Sequence, residues 1–305
     1  MTPRTLDIVG LGECMAEFAP TGASTWHSGF AGDVLNTLVY ASRVGIRTGF
    51  ISATGDDALS SAMRAAWAQE EIDAACAPVI DGAVTGLYLI STGPRGERAF
   101  TYYRKGSAAS RTLSVLPART IAAYASRSRI FYLSGITLAV MPDRARLLAL
   151  LKRLHGRTAI AFDPNYRASL WSSPAAFRKA VRDVTPFLSF IFPSADDAAI
   201  LYPALSPEEI VGRYARKGIV CVVKRGSKGA LYMDGSVVCA QRTQRKVAVD
   251  TTGAGDAFNA GVLSAILAGR RLADAVALGN RFAGIVVGHR GAIVDRARFL
   301  RALRP

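Results

Sequence analysis

Asp250-Thr251-Thr252-Gly253-Ala254-Gly255-Asp256-Ala257-Phe258 brings carboxylates, hydroxyls and glycines together at the start of an apolar helical pattern carried by Phe258, Val262 and Ile266. Glycines ahead of a helix let the backbone approach a ligand with no Cβ in the way. The first N–H groups of that helix lack partners inside it and carry the positive end of its dipole. The result is an anion site, and phosphate is the anion it suits best. Asp256 is the odd member: a carboxylate caps a helix start well, yet it repels a phosphate bound beside it. A phosphoryl-transfer enzyme needs both, N–H groups for the transferred group and a carboxylate for the proton of the attacking hydroxyl. From the residues alone, phosphate chemistry and a plain glycine turn with a capping Asp256 both stand.

Other stretches offer complementary chemistry. In Gly29-Phe30-Ala31-Gly32-Asp33-Val34-Leu35-Asn36, Asp33 and Asn36 lie one helical turn apart and share a face suited to sugar hydroxyls; Asp33 as a helix cap, with Asn36 incidental, is the alternative. Tyr102-Tyr103-Arg104-Lys105-Gly106-Ser107-Ala108-Ala109-Ser110 supplies rigid aromatic walls and a guanidinium fork for a carboxylate, or merely a surface. Phe162-Asp163-Pro164-Asn165-Tyr166-Arg167 leaves a core strand where open parallel sheets bind ligands, so Arg167 is available to an anionic substrate or to nucleotide phosphates. Lys224-Arg225-Gly226-Ser227-Lys228-Gly229-Ala230 reads as a strand–turn–strand, either a phosphate loop or a basic hairpin.

The elements that must position these groups alternate. Short apolar strands at 6–12, 48–53, 129–134, 158–163, 190–193, 218–224 and 230–233 are interleaved with helical patterns at 32–44, 57–69, 142–154, 174–184 and 207–216. The C-terminal part is helical at 254–268, 272–288 and 295–302. This rhythm predicts an α/β fold with a mostly parallel sheet covered on both faces. Residues 13–30 and 84–104 break it, the latter around the turn Gly93-Pro94-Arg95-Gly96, and are expected to form a small β lid on a single domain spanning 1–305.

Half of the 305 residues are hydrophobic and a fifth are charged, enough for a sizeable core. The net charge of +15 is spread along the chain without a basic run, which argues against nucleic acid as a partner. No apolar stretch reaches membrane-spanning length, and the N-terminal residues do not read as a secretory signal. Cys14, Cys76, Cys221 and Cys239, with His27, His155 and His289, form no metal or disulfide pattern. A cytoplasmic protein with reduced thiols is expected.

The string from Asp250 to Phe258 resembles the signature of the ribokinase-like (phosphofructokinase-B type) carbohydrate kinases. That resemblance implies a three-layer α/β/α fold, Asp256 as the catalytic base, and Gly253, Ala254 and Gly255 as the anion hole. The order Gly-Asp-Val-Leu-Asn-Thr, Tyr-Tyr-Arg with Ser-Ala-Ala-Ser, and Asp-Pro-Asn-Tyr-Arg-x-x-Leu-Trp is similar to the 2-keto-3-deoxygluconate kinase branch of that family. It implies substrate contacts at Gly32, Asp33, Asn36, Tyr88, Tyr103, Arg104 and Arg167, and phosphorylation of the 6-hydroxyl of that sugar acid. It further implies ATP contacts at Asn165, Ser194, Lys224, Gly226, Ser227, Gly229, Gly253, Gly255 and Asn280. Mg²⁺ would be organised indirectly through Asp197, and copies would associate through the lid. The chain departs from the family pattern at Ala31-Gly32, where two glycines are usual, and at Ser194-Ala195-Asp196-Asp197 in place of Asn-x-x-Glu. Two other readings are a kinase of a neutral sugar such as fructose or ribose, and a non-catalytic sugar-binding regulator; paired Arg104 and Arg167 favour an acid over the first.

Overall fold

The computed structural model describes residues 4–22, 24–92, 98–244 and 246–304. The turn anticipated at Gly93-Pro94-Arg95-Gly96 lies outside them. The strands in chain order are β1 (Ile8–Leu11), β2 (Met15–Pro20), β3 (Trp26–Ala31), β4 (Thr48–Ile51), β5 (Thr54–Gly55), β6 (Val79–Ile80), β7 (Gly86–Thr92), β8 (Arg98–Tyr103), β9 (Ile130–Ser134), β10 (Ala159–Asp163), β11 (Phe190–Ile191), β12 (Val220–Cys221), β13 (Val223–Lys224), β14 (Ala230–Asp234) and β15 (Val237–Gln241). Six of them make one wholly parallel sheet in the order β12-β11-β10-β9-β1-β4.

Successive side chains of a strand face opposite sides, and both sides of this sheet are buried. Ile130, Tyr132 and Ala161 join one core with the helices Asp33–Ser42, Ala58–Gln69, Ala254–Leu267, Leu272–Val286 and Arg296–Leu303. Phe131, Leu133, Ile160 and Phe162 join the other with Ala118–Ala125, Arg144–Leu154, Pro174–Val184, Ala195–Leu201 and Pro207–Ala215. The architecture is therefore a three-layer α/β/α. Several helix starts are set locally: Ser173 and Ser206 each accept an N–H from the first turn, with Pro174 and Pro207 just inside it. Sheet order advances from β1 to β4 on one side and from β9 to β12 on the other. The reversal between β1 and β9 is where an open parallel sheet holds its ligand crevice, at the strand C-terminal ends.

The two stretches that break the βα rhythm form a separate four-stranded sheet in the order β3-β2-β7-β8, with β2 and β7 parallel. The strand anticipated over 218–224 is divided. β12 joins the main sheet, while β13 turns away to pair with β14 in an antiparallel hairpin extended by β15. β15 and the helices Ala118–Ala125 and Ala195–Leu201 add elements that the sequence pattern did not reveal. Among the described residues no helix is long and apolar enough to cross a membrane.

Candidate active site

Gly253 opens the helix Ala254–Leu267 in the left-handed region, at φ +75°. A Cβ there would lie 2.5 Å from the carbonyl oxygen of Ala292, so both conformation and space call for glycine. Asp250 braces the turn: its carboxylate accepts from the Thr252 N–H (3.0 Å), the Thr252 hydroxyl (2.7 Å) and the Gly291 N–H (2.8 Å). Among the described residues, no acceptor meets the N–H of Gly255 or Asp256. These donors open to the cleft as an anion site should.

Asp256 does not cap its helix. Its Oδ2 accepts instead from Asn36 Nδ2, 2.8 Å away on the helix Asp33–Ser42. Burial pushes its carboxyl up to about 7, with neighbouring Asp33 and Asp163 adding to the rise and the Asn36 hydrogen bond and Lys224 opposing it. Asn36 is oriented for this contact by the Gly32 N–H, which donates to its Oδ1 at 3.3 Å. Gly32, not Asp33, is the cap of that helix. A Cβ on Gly32 would sit 2.0 Å from the Glu13 carbonyl oxygen, so the loop after β1 packs directly on it. Asp33 accepts from Asn165 Nδ2 at 2.8 Å, joining the stretch around Gly32 to the one that follows β10.

Asp163, at the end of β10, is fully buried beside this group. Its Oδ2 accepts from Lys224 Nζ and from Asn259 Nδ2, both at 2.6 Å, and its Oδ1 from the Asn165 N–H at 3.1 Å. Burial raises its carboxyl and Lys224 counteracts that rise. Asn259 was not singled out in the sequence, although a polar residue in an otherwise apolar, buried helix was a signal.

On the opposite wall, Arg104 forms an ion pair with buried Glu13, which also accepts from the Ser107 hydroxyl at 2.8 Å. Tyr88 donates its hydroxyl to Glu17. Along β8, Phe100 and Tyr102 line the cleft while Tyr103 faces away and is 59% exposed. Of the two neighbours it is Tyr102, and not the anticipated Tyr103, that lies on the cleft wall, because strand alternation sends neighbours to opposite faces. Glu13 and Glu17 were likewise missed. Arg167 is exposed, donates to the Tyr166 carbonyl at 2.9 Å, and has no acidic partner among the described residues.

At the far end, Gly226, Ser227 and Gly229 sit in the short turn between β13 and β14. Asn280 Nδ2 donates to the Gln241 and Arg242 carbonyls at 3.3 and 3.4 Å. Ser194 and Asp197 cap the helix Ala195–Leu201 reciprocally, and the second Asp197 oxygen accepts from the Tyr166 N–H at 2.8 Å. Both Asp197 oxygens are thus engaged by backbone, and among the described residues no group of three or more His, Cys, Asp or Glu side chains is placed to hold a metal ion. Apart from Tyr103, every anticipated site residue lines one cleft of about 1220 Å³.

The sequence profile of the pfkB family carbohydrate kinases matches residues 6–297. A protein of Dickeya dadantii named 2-dehydro-3-deoxygluconokinase is 37% identical, with 96% of this chain and 98% of the relative covered. One of the same name from Escherichia coli K12 is 34% identical over 95% and 97%. The crystal structure of a PfkB protein from Polaromonas sp. JS666 superposes with a TM-score of 0.82 at 26% identity, over 98% of this chain and all of the other. The chain belongs to the pfkB family of carbohydrate kinases.

Proposed function

We propose that this protein transfers the γ-phosphoryl group of ATP to the 6-hydroxyl of 2-keto-3-deoxygluconate, giving the 6-phosphate and ADP. Most support comes from Asp256: a buried carboxylate with its carboxyl near neutrality, beside N–H groups that meet no acceptor, facing cations across one cleft. The names of the relatives agree with the reading. Asp256 takes the proton of the 6-hydroxyl as that oxygen bonds to the γ-phosphorus and the bond to the ADP oxygen breaks. The N–H groups of Gly255 and Asp256 receive the charge on the moving phosphoryl group. Asn36 and Asp33 orient the sugar hydroxyls. Gly226, Ser227, Gly229, Asn165, Ser194 and Asn280 surround the nucleotide. Asp197 would organise a magnesium ion bound with ATP only indirectly, through water, and the ion would supply positive charge to offset that of the phosphates.

The substrate carboxylate falls to Arg167, with Tyr88, Tyr102 and the Glu13-held Arg104 shaping the wall. Arg167→Ala should raise the KM for the sugar acid about 10- to 100-fold, the loss of a charge-assisted hydrogen bond, and leave the KM for ATP unchanged. Steady-state assay of ADP release with the sugar acid varied reads it directly; an unchanged sugar KM speaks against an acid substrate. The outer face of the second sheet, with Trp26 48% and Tyr103 59% exposed, is the surface through which copies would associate. A cytoplasmic setting agrees with the free thiols of Cys14, Cys76, Cys221 and Cys239.

A further inference from the structure

Lys224 heads the β13–β14 turn that would hold the nucleotide, yet its ammonium lies apart from that turn. It sits at the C-terminal end of the main sheet, 2.6 Å from Asp163 Oδ2 and 3.4 Å from Asn259 Oδ1. A Cβ placed on Gly255 would come within 3.5 Å of it, so the ammonium borders the glycine turn. An ammonium has three N–H donors; Asp163 and Asn259 take two, and Lys224 lines the cleft. The third is available to an anion in the turn.

The neighbourhood needs such a charge. Asp33, Asp163 and Asp256 converge here, and a phosphoryl group arriving beside Asp256 meets like charge. Asn259 ties the arrangement together: its Oδ1 meets Lys224, while its Nδ2 donates to Asp163 at 2.6 Å and to the Tyr132 hydroxyl at 2.9 Å. The Tyr132 and Asp163 contacts fix the amide so that its oxygen faces the ammonium. Asp163 and Lys224 thus form a nearly buried ion pair, with their side chains 3% and 13% exposed.

We propose that Lys224 is a catalytic residue that grips the transferred phosphoryl group, and that Asp163 and Asn259 are positioning residues that hold its ammonium against the glycine turn. Lys224 keeps its proton throughout; the hydroxyl proton goes to Asp256 and the electron pair of the broken P–O bond goes to ADP. This rests on the phosphoryl-transfer reading but not on which sugar accepts the group.

The test is calorimetric binding of ATP and ADP, without sugar, to the full-length protein and to Lys224→Met. Only ATP places a phosphoryl group in the turn. Lys224→Met should therefore weaken ATP about 10- to 100-fold, the range for a hydrogen bond to a charged group, and ADP by less than about threefold. Turnover should fall about 10²- to 10³-fold with the sugar KM unchanged. Because the single variant leaves Asp163 buried without its counter-charge, Lys224→Met with Asp163→Asn retires both charges and should show the same ATP-selective loss. Equal losses for ATP and ADP would place Lys224 in general nucleotide binding and overturn the proposal. A lowered Tm with both affinities intact would make the ion pair structural and overturn it too. A wild-type protein that binds neither nucleotide would instead sink the kinase reading itself.

Discussion

Asp256→Asn is expected to lower kcat about 10²- to 10⁴-fold, the usual contribution of a positioned general base, while leaving the fold intact. The amide is isosteric, and its oxygen can still accept from Asn36 Nδ2, so the contact between the helices Asp33–Ser42 and Ala254–Leu267 survives. What disappears is the capacity to take a proton. The same group governs the pH profile of the wild type. With its carboxyl pushed up to about 7, Asp256 holds a proton below that pH and cannot act as base, so kcat/KM should fall about tenfold per pH unit on the acid side. That limb should be missing from the residual activity of the variant. Stability should move the other way. A carboxyl raised on folding stabilises the native state while protonated, and that contribution is lost as pH rises through about 7. The variant should therefore match or exceed the wild-type Tm at pH 8. Near-normal turnover in Asp256→Asn, or a pH profile unchanged by it, would remove Asp256 from the chemistry.

Gly253→Ala is expected to have the next largest effect, through geometry instead of proton transfer. Its φ of +75° is costly for alanine, and the added methyl would lie 2.5 Å from the Ala292 backbone oxygen, which belongs to no flexible side chain. The turn must move, carrying the N–H groups of Gly255 and Asp256 with it. Displacing such donors by about 1 Å costs roughly 10²-fold in rate, so kcat should fall by at least that much, with a lower Tm. Gly255→Ala is the informative companion: φ there is ordinary, and the nearest neighbour of its Cβ is the Lys224 ammonium at 3.5 Å, an ordinary contact. It should fold normally and lose less activity. Wild-type turnover in Gly253→Ala would show that the turn does not hold the reacting group.

Much of this molecule is legible in its sequence because the determinants are local. Apolar runs with helical periods between them imply a parallel sheet with two covered faces, and the two cores follow. The glycine turn before an apolar helix marks the place of the unpartnered Gly255 and Asp256 N–H groups for the same reason. Long-range pairings carry no such mark. Nothing near Arg104 in sequence points to Glu13, 91 positions earlier, as the partner that compensates its charge. The brace from Asp250 reaches Gly291 across 41 positions, and Asp163 meets Lys224 across 61. Between Tyr102 and Tyr103 the sequence has no parity mark: alternation says that neighbours diverge, but only the packed sheet decides that Tyr102 is the one facing the cleft. The strand over 218–224 divides because Val223 and Lys224 leave the main sheet for the β14 hairpin, a tertiary choice that an unbroken apolar run conceals.

The most direct test of the central claim is a side-by-side assay of ADP release from ATP and magnesium with 2-keto-3-deoxygluconate, gluconate, fructose and ribose. The kcat/KM for the keto-deoxy acid should exceed that for each neutral sugar by about 10- to 100-fold or more, the range for losing a hydrogen bond between charged groups. Comparable or better turnover of fructose or ribose would keep Asp256 as the base and contradict the acid-binding role of Arg167. No ADP release with any of the four would contradict the assigned reaction.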